Sequence, residues 1–135
     1  MDITIKNASF AAIGFAMLVV FGCAHAQQAK GEYSESMTEK YSQKTLLKNW
    51  ALSVCLAKID KDPSTKEDAN VTASAYLEFG HQRIEAYNAL RDLAEQFVNR
   101  KYGGSVKSKF NTMKCIDLFH SKELDSLTSK ILKTK

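Results

Sequence analysis

Apolar residues recur at three- and four-residue steps along most of the chain after position 45, and nowhere do they alternate with polar ones as a strand requires. In "TLLKNWALSVCLAKI", 45 to 59, Leu47, Trp50, Ala51, Val54, Cys55 and Ile59 fall on one side of a helix. Leu46, Leu52 and Leu56 add a second apolar face. A helix apolar over more than half its circumference needs neighbours on several sides, so this one is expected at the centre of a bundle.

The next stretch, "DKDPSTKED" at 60 to 68, is polar, holds the only proline, Pro63, and reads as a linker. A second helix is expected over "ANVTASAYLEFG", 69 to 80, with Ala69, Ala73, Tyr76 and Phe79 turned inward and Gly80 as a left-handed stop. A third runs from about 82 to 102, with Ile84, Tyr87, Leu90, Ala94, Phe97 and Val98 on one stripe. Gly103 and Gly104 end it, and Ser105 offers an N-cap for a fourth helix. There Val106, Phe110, Met113 and Ile116 form one face and Cys115, Leu118 and Phe119 the opposite one, so burial on two sides is expected. Ser121 caps a fifth helix whose core face is Leu124, Leu127, Ile131 and Leu132. Glu123 in its first turn and Lys130 and Lys133 in its last match the helix dipole. The expected fold is all-α, a compact bundle of about five helices joined by short loops.

Residues 1 to 26 change the picture. A short polar start with Lys6 is followed by "FAAIGFAMLVVFGCA", 10 to 24, which carries no charge, and by "AHA", 24 to 26, with small residues at a cleavage position. These are the three parts of a secretory signal peptide, and the apolar run is short for a membrane span. Cleavage after Ala26 is expected, and "VFGC", 20 to 23, offers lipoprotein anchoring at Cys23 as the alternative. The organisation is then 1–26 signal peptide, 27–42 polar leader and 43–135 helical domain. The expected compartment is the periplasm.

Export makes the cysteines readable. Of Cys23, Cys55 and Cys115, the last two survive cleavage. An even pair in an oxidising compartment reads as one disulfide, Cys55–Cys115, joining the first helix to the fourth. Closing a loop of 60 residues stabilises the fold by roughly 4 kcal/mol on the chain-entropy argument.

The net charge is +4, with acids and bases interspersed. No basic stripe with interleaved aromatics marks a nucleic-acid surface. Cys115 and His120 invite a nucleophile–base reading, but five helical positions set them about 140° apart. The other histidine beyond the leader, His81, follows Gly80 in a turn, and the spacing of 55, 81, 115 and 120 matches no zinc motif. Neither a Gly-x-Ser-x-Gly elbow, a phosphate loop nor His-Glu-x-x-His occurs. Glu78, Glu85 and Asp117 read as surface carboxylates. A small exported domain of this kind is expected to bind rather than catalyse, without cofactor or metal.

"CLAK" (55–58), "ASAYLEFG" (73–80), "IEAYNAL" (84–90) and "KYGGSVKSKFNTMKCIDLFHSKELDSL" (101–127) together resemble the fourth family of type VI secretion amidase immunity proteins. The resemblance spans 46 to 132 and is most specific in "FNTMKCIDLFHSKEL". It implies a partner: a peptidoglycan amidase injected by neighbouring bacteria, papain-like, cutting between D-glutamate and diaminopimelate. It also implies an inhibitor that waits in the periplasm as a homodimer and covers that enzyme's cleft. The catalytic cysteine then belongs to the partner. Another periplasmic helical binding or envelope-stress protein is the alternative.

An inhibitor of a peptide cleft must present groups that fit it. The turn "EFGHQR", 78 to 83, projects polar groups outward, so Glu78, His81, Gln82, Arg83 and Glu85 are candidates for partner binding. Tyr76 and Tyr87 are candidate aromatic anchors, with burial in the core as the plainer reading. The loop at Gly103 and Gly104, beside Lys101 and Lys107, is a second candidate because a dimer could bring it to the same cleft.

Overall fold

The structure is a computed structural model and describes residues 37–134. The expected signal peptide, the lipoprotein site and the first part of the leader lie outside the described residues.

The described chain opens with a short 3-10 turn, Met37–Lys40, in which Thr38 is already buried. Ser42 then caps α1 (Gln43–Ile59), its hydroxyl accepting the Thr45 N–H at 3.1 Å. Asp62 caps α2 (Pro63–Glu78) in the same way, with Pro63 just inside the start. The missing N–H of proline is no loss at that position, and its fixed φ suits the first turn. The expected linker 60–68 is therefore mostly helix: Pro63 starts the second helix rather than separating the two.

Arg83 opens α3 (Ile84–Val98) without a side-chain cap. This helix is shorter than the expected 82–102, and Ile84, expected on the core stripe, is exposed. A loop over 99–110 leads to α4 (Asn111–His120), and Ser121 alone separates α4 from α5 (Lys122–Lys133). The Ser121 hydroxyl serves both helices, donating to the Leu118 carbonyl at 2.7 Å and accepting the Leu124 N–H at 3.0 Å.

The described residues form five α-helices and no strand, as the periodicity requires. α1 is central and touches all four other helices. Its Leu47, Trp50, Ala51 and Cys55 pack against Ala73 of α2, Tyr87, Leu90, Ala94 and Phe97 of α3, Cys115 and Leu118 of α4, and Leu124 of α5. The Trp50 and Tyr87 rings meet edge to face with centroids 5.1 Å apart, an arrangement the ring quadrupoles favour. Cys55 and Cys115 are fully buried and bonded, with Cα atoms 5.6 Å apart, so the expected α1–α4 disulfide is present. Lys48 joins α1 to α5 by an ion pair with Asp125 at 2.9 Å, and Lys44 approaches the same carboxylate at 3.6 Å.

Three further expectations fail for physical reasons. Ser105 caps nothing, because α4 starts at Asn111, after a left-handed Phe110 at φ 50°. The face expected to be buried is open: Val106 is 68 %, Met113 47 % and Ile116 51 % exposed. The opposite face is buried as expected at Cys115 and Leu118, with Phe119 half-buried and Lys114 buried beside them. Gly80 is not left-handed either, since none of the described glycines has positive φ. Its role is steric. A β-carbon there would collide with the Tyr87 hydroxyl.

Candidate functional site

Two surface segments hold the residues singled out from the sequence, one at each end of α3. The first is the turn between α2 and α3. Gly80 N–H closes it on the Leu77 carbonyl at 3.0 Å, and the Tyr87 ring fills the space beneath. Gln43, the first residue of α1, holds it from the side. Its amide nitrogen donates to the Phe79 carbonyl at 3.0 Å, and its amide oxygen accepts the His81 N–H at 2.8 Å.

His81, Arg83, Glu85 and Glu78 are exposed on or beside this turn, and Gln82 is half-buried. Arg83 Nε and Glu85 Oε2 stand 3.4 Å apart in solvent. Such an exposed pair is worth about 0–1 kcal/mol, so both side chains can change partner at little expense to the fold. Gln82, Arg83 and Glu85 also border an open groove of about 380 Å³ floored by Ala86 and Ala89 of α3 and Leu127 and Ile131 of α5. The alanines make the groove, because they leave α3 without bulk on that side.

The two tyrosines separate. Tyr76 is half-buried and lies against Tyr41, ring centroids 6.5 Å apart. Tyr87 is 2 % exposed and belongs to the core, so as it stands it offers a partner no surface. Its hydroxyl has no hydrogen-bond partner among the described residues. Burial pushes the phenol's pKa up, with the Gln82 backbone offsetting part of the effect.

The second segment is the 99–110 loop. Lys101, Gly103, Gly104 and Lys107 are exposed on it, and nothing lies within 4 Å of where a Gly103 side chain would start. Tyr102 donates to Asp117 at 2.6 Å, which raises the phenol's pKa. Lys114 ties the two ends of the loop together. Its ammonium donates to the Val98 carbonyl at 2.9 Å and to Asn111 Oδ1 at 3.3 Å. A cation at the carbonyl end of α3 also complements that helix's dipole. The exposed Val106, Met113 and Ile116 make the loop and the outer face of α4 an apolar surface flanked by Lys107 and Lys109. A helix of 15 residues at 1.5 Å rise separates the two segments by roughly 22 Å.

The structure does not bring the cysteines and histidines together as a nucleophile–base pair would require. The sulfurs of Cys55 and Cys115 are bonded to each other. His120 is exposed and stacks edge-on against Phe119 at 5.3 Å. Among the described residues no cluster of His, Cys, Asp and Glu could hold a metal ion. What the arrangement can do is present exposed charged and apolar groups on braced backbone.

A family model described as type VI secretion system amidase immunity protein matches residues 45–128. The chain belongs to that family. A chain of the effector–immunity system Tae4/Tai4 from Salmonella typhimurium is 52 % identical, the match covering 72 % of this chain and 96 % of that one at a TM-score of 0.69. A chain of the complex between the Salmonella typhimurium effector Tae4 and the Enterobacter cloacae immunity protein Tai4 is 25 % identical over 71 % and 99 %, with TM-score 0.63. A chain from a structure of type VI-secreted toxins and self-resistance proteins of Serratia marcescens is 28 % identical over 78 % and 88 %, with TM-score 0.68. No curated protein sequence matches the chain.

Gln43, Tyr41 and Lys114 were not singled out from the sequence. Each acts on residues that only the fold brings near, with Gln43 reaching 36 and 38 positions along the chain. No periodicity signals such a contact.

Proposed function

We propose that the exported chain binds a type VI-delivered peptidoglycan amidase in the periplasm and covers its active site, without catalysis of its own. Family membership carries this reading: the match takes in all of α2, α3 and α4 and most of α1 and α5. The turn at Glu78, His81, Gln82, Arg83 and Glu85 is the main docking surface, with Tyr76 at its edge. The loop at Gly103 and Gly104 is the second. Their separation along α3 suits a homodimer in which one copy offers its turn and the other its loop to the same enzyme.

The Salmonella typhimurium effector Tae4 is the probe of choice. It forms a complex with the Enterobacter cloacae immunity protein, so it accepts an inhibitor from another species. Purified chain is expected to inhibit peptidoglycan cleavage by Tae4 and to release no fragment on its own. Exchanging the charges in Arg83→Glu with Glu85→Arg is expected to weaken inhibition about tenfold or more, because a charged interface residue placed against the wrong sign opposes docking. The circular-dichroism spectrum and melting temperature should barely move. Full inhibition by the exchanged variant would place the docking surface elsewhere. Release of peptide from the sacculus by the chain alone would make it an enzyme.

A further inference from the structure

The turn at 79–83 has a difficulty that its surroundings answer. The Tyr87 ring beneath it leaves room only for glycine at position 80, since even a β-carbon would collide. Glycine loses more conformational freedom on being fixed than any other residue. The turn therefore cannot be stiffened by a bulkier residue at its own centre. Stiffness has to come from outside.

Gln43 supplies it. One side-chain amide donates to the carbonyl before Gly80 and accepts from the N–H after it, bracketing the glycine on both sides. The start of α1 does not need this side chain, because Ser42 already caps that helix. We propose that Gln43 is a positioning residue for the partner interface: it holds the backbone of Phe79 to His81 in one arrangement, so that the docking side chains are presented before the partner arrives. Segments ordered in advance lose less freedom on association, and that saving appears as affinity. The inference rests on the docking surface proposed above, and it assigns the affinity in part to a side chain on a different helix from the groups that dock.

The test uses the full chain and purified Salmonella typhimurium Tae4. In Gln43→Ala the His81 amide is expected to exchange hydrogen about tenfold faster in the free protein, and the affinity for Tae4 to fall by about five- to tenfold. The melting temperature should move far less than in Cys55→Ala. Gln43→Glu keeps an acceptor for the His81 N–H but cannot donate to Phe79, so it should retain slow exchange at His81 and bind with intermediate affinity. Faster exchange with unchanged affinity would overturn the positioning role. So would weaker binding with unchanged exchange, because Gln43 would then be touching the partner itself. The Arg83→Glu, Glu85→Arg variant separates the two layers of the argument. If it loses binding while Gln43→Ala does not, only the positioning role falls. If both bind as the wild type does, the docking surface falls as well.

Discussion

The hydroxyl of Tyr87 occupies the space that a β-carbon on Gly80 would need, and the ring carbon that bears it would lie only 3.2 Å from such an atom. The two residues are complementary, large against absent. Gly80→Ala is expected to destabilise the fold by about 1–3 kcal/mol, the usual range for forcing extra volume into a packed site. Tyr87→Phe removes a buried hydroxyl that lacks a well-formed hydrogen bond and is eased only in part by the Gln82 backbone, and should change stability by no more than about 1 kcal/mol. Combined, the two should couple, with Tyr87→Phe recovering part of the loss. Urea unfolding of the four proteins measures this, and strict additivity would deny the contact.

The disulfide can be tested by removing either end. Cys55→Ala and Cys115→Ala break the same bond, so each should lower stability by roughly 4 kcal/mol, and the double variant little more than either. In the folded wild-type protein, alkylation without reductant should label neither cysteine. Free reaction at both would refute the bridge.

Acid behaviour follows from Asp125. The hydrogen bond from Lys48 holds its carboxyl below the ordinary range, and the charges of Lys48 and Lys44 add to this. A carboxyl depressed in the folded state contributes stability above its unfolded pKa of about 3.9 and loses it as pH falls through the folded value. Lys48→Met keeps an unbranched side chain but removes the ammonium, which pairs with Asp125 and sits 4.8 Å over the Phe119 ring. Urea unfolding should then show a stability deficit that is full near neutrality and shrinks as pH falls through the folded value of the carboxyl, and the acid unfolding midpoint, followed by circular dichroism, should move to higher pH. An unmoved midpoint would show that the pair contributes nothing.

The outer face of α4 offers a contrast within a few residues. Ile116 is half-exposed and Leu118 fully buried. Ile116→Asp should change stability by no more than about 0.5 kcal/mol, whereas Leu118→Ala should cost about 2–5 kcal/mol. Equal losses in urea would mean that the Ile116 face is covered after all.

That contrast also shows where sequence reading stops. Periodicity found all five helices and the central place of α1, because a helix apolar on several sides has few other places to go. It misjudged α4, since Val106, Phe110, Met113 and Ile116 are spaced as a core face is. Spacing reports that residues share a side, not which side meets protein. The helix start was hidden as well. Phe110 sits in a left-handed conformation that a bulky residue rarely adopts, and no local preference announces it. At the candidate site, polarity marked the turn correctly as exposed, with Arg83 and Glu85 at its edge. The groove beside it needed α5, and the clamp needed Gln43. Both come from remote sequence and are products of the fold alone.

The Cys55–Cys115 bond closes a covalent ring, and both exposed segments, the turn at 79–83 and the loop at 99–110, lie on the ring rather than on its tails. Exposed loops are where proteases cut first. A single cut in either segment would open the ring without releasing a piece. The nicked chain would run at its full mass on a gel without reductant and fall into two bands with it. Such a protein can lose a peptide bond in either exposed segment and still hold its halves together.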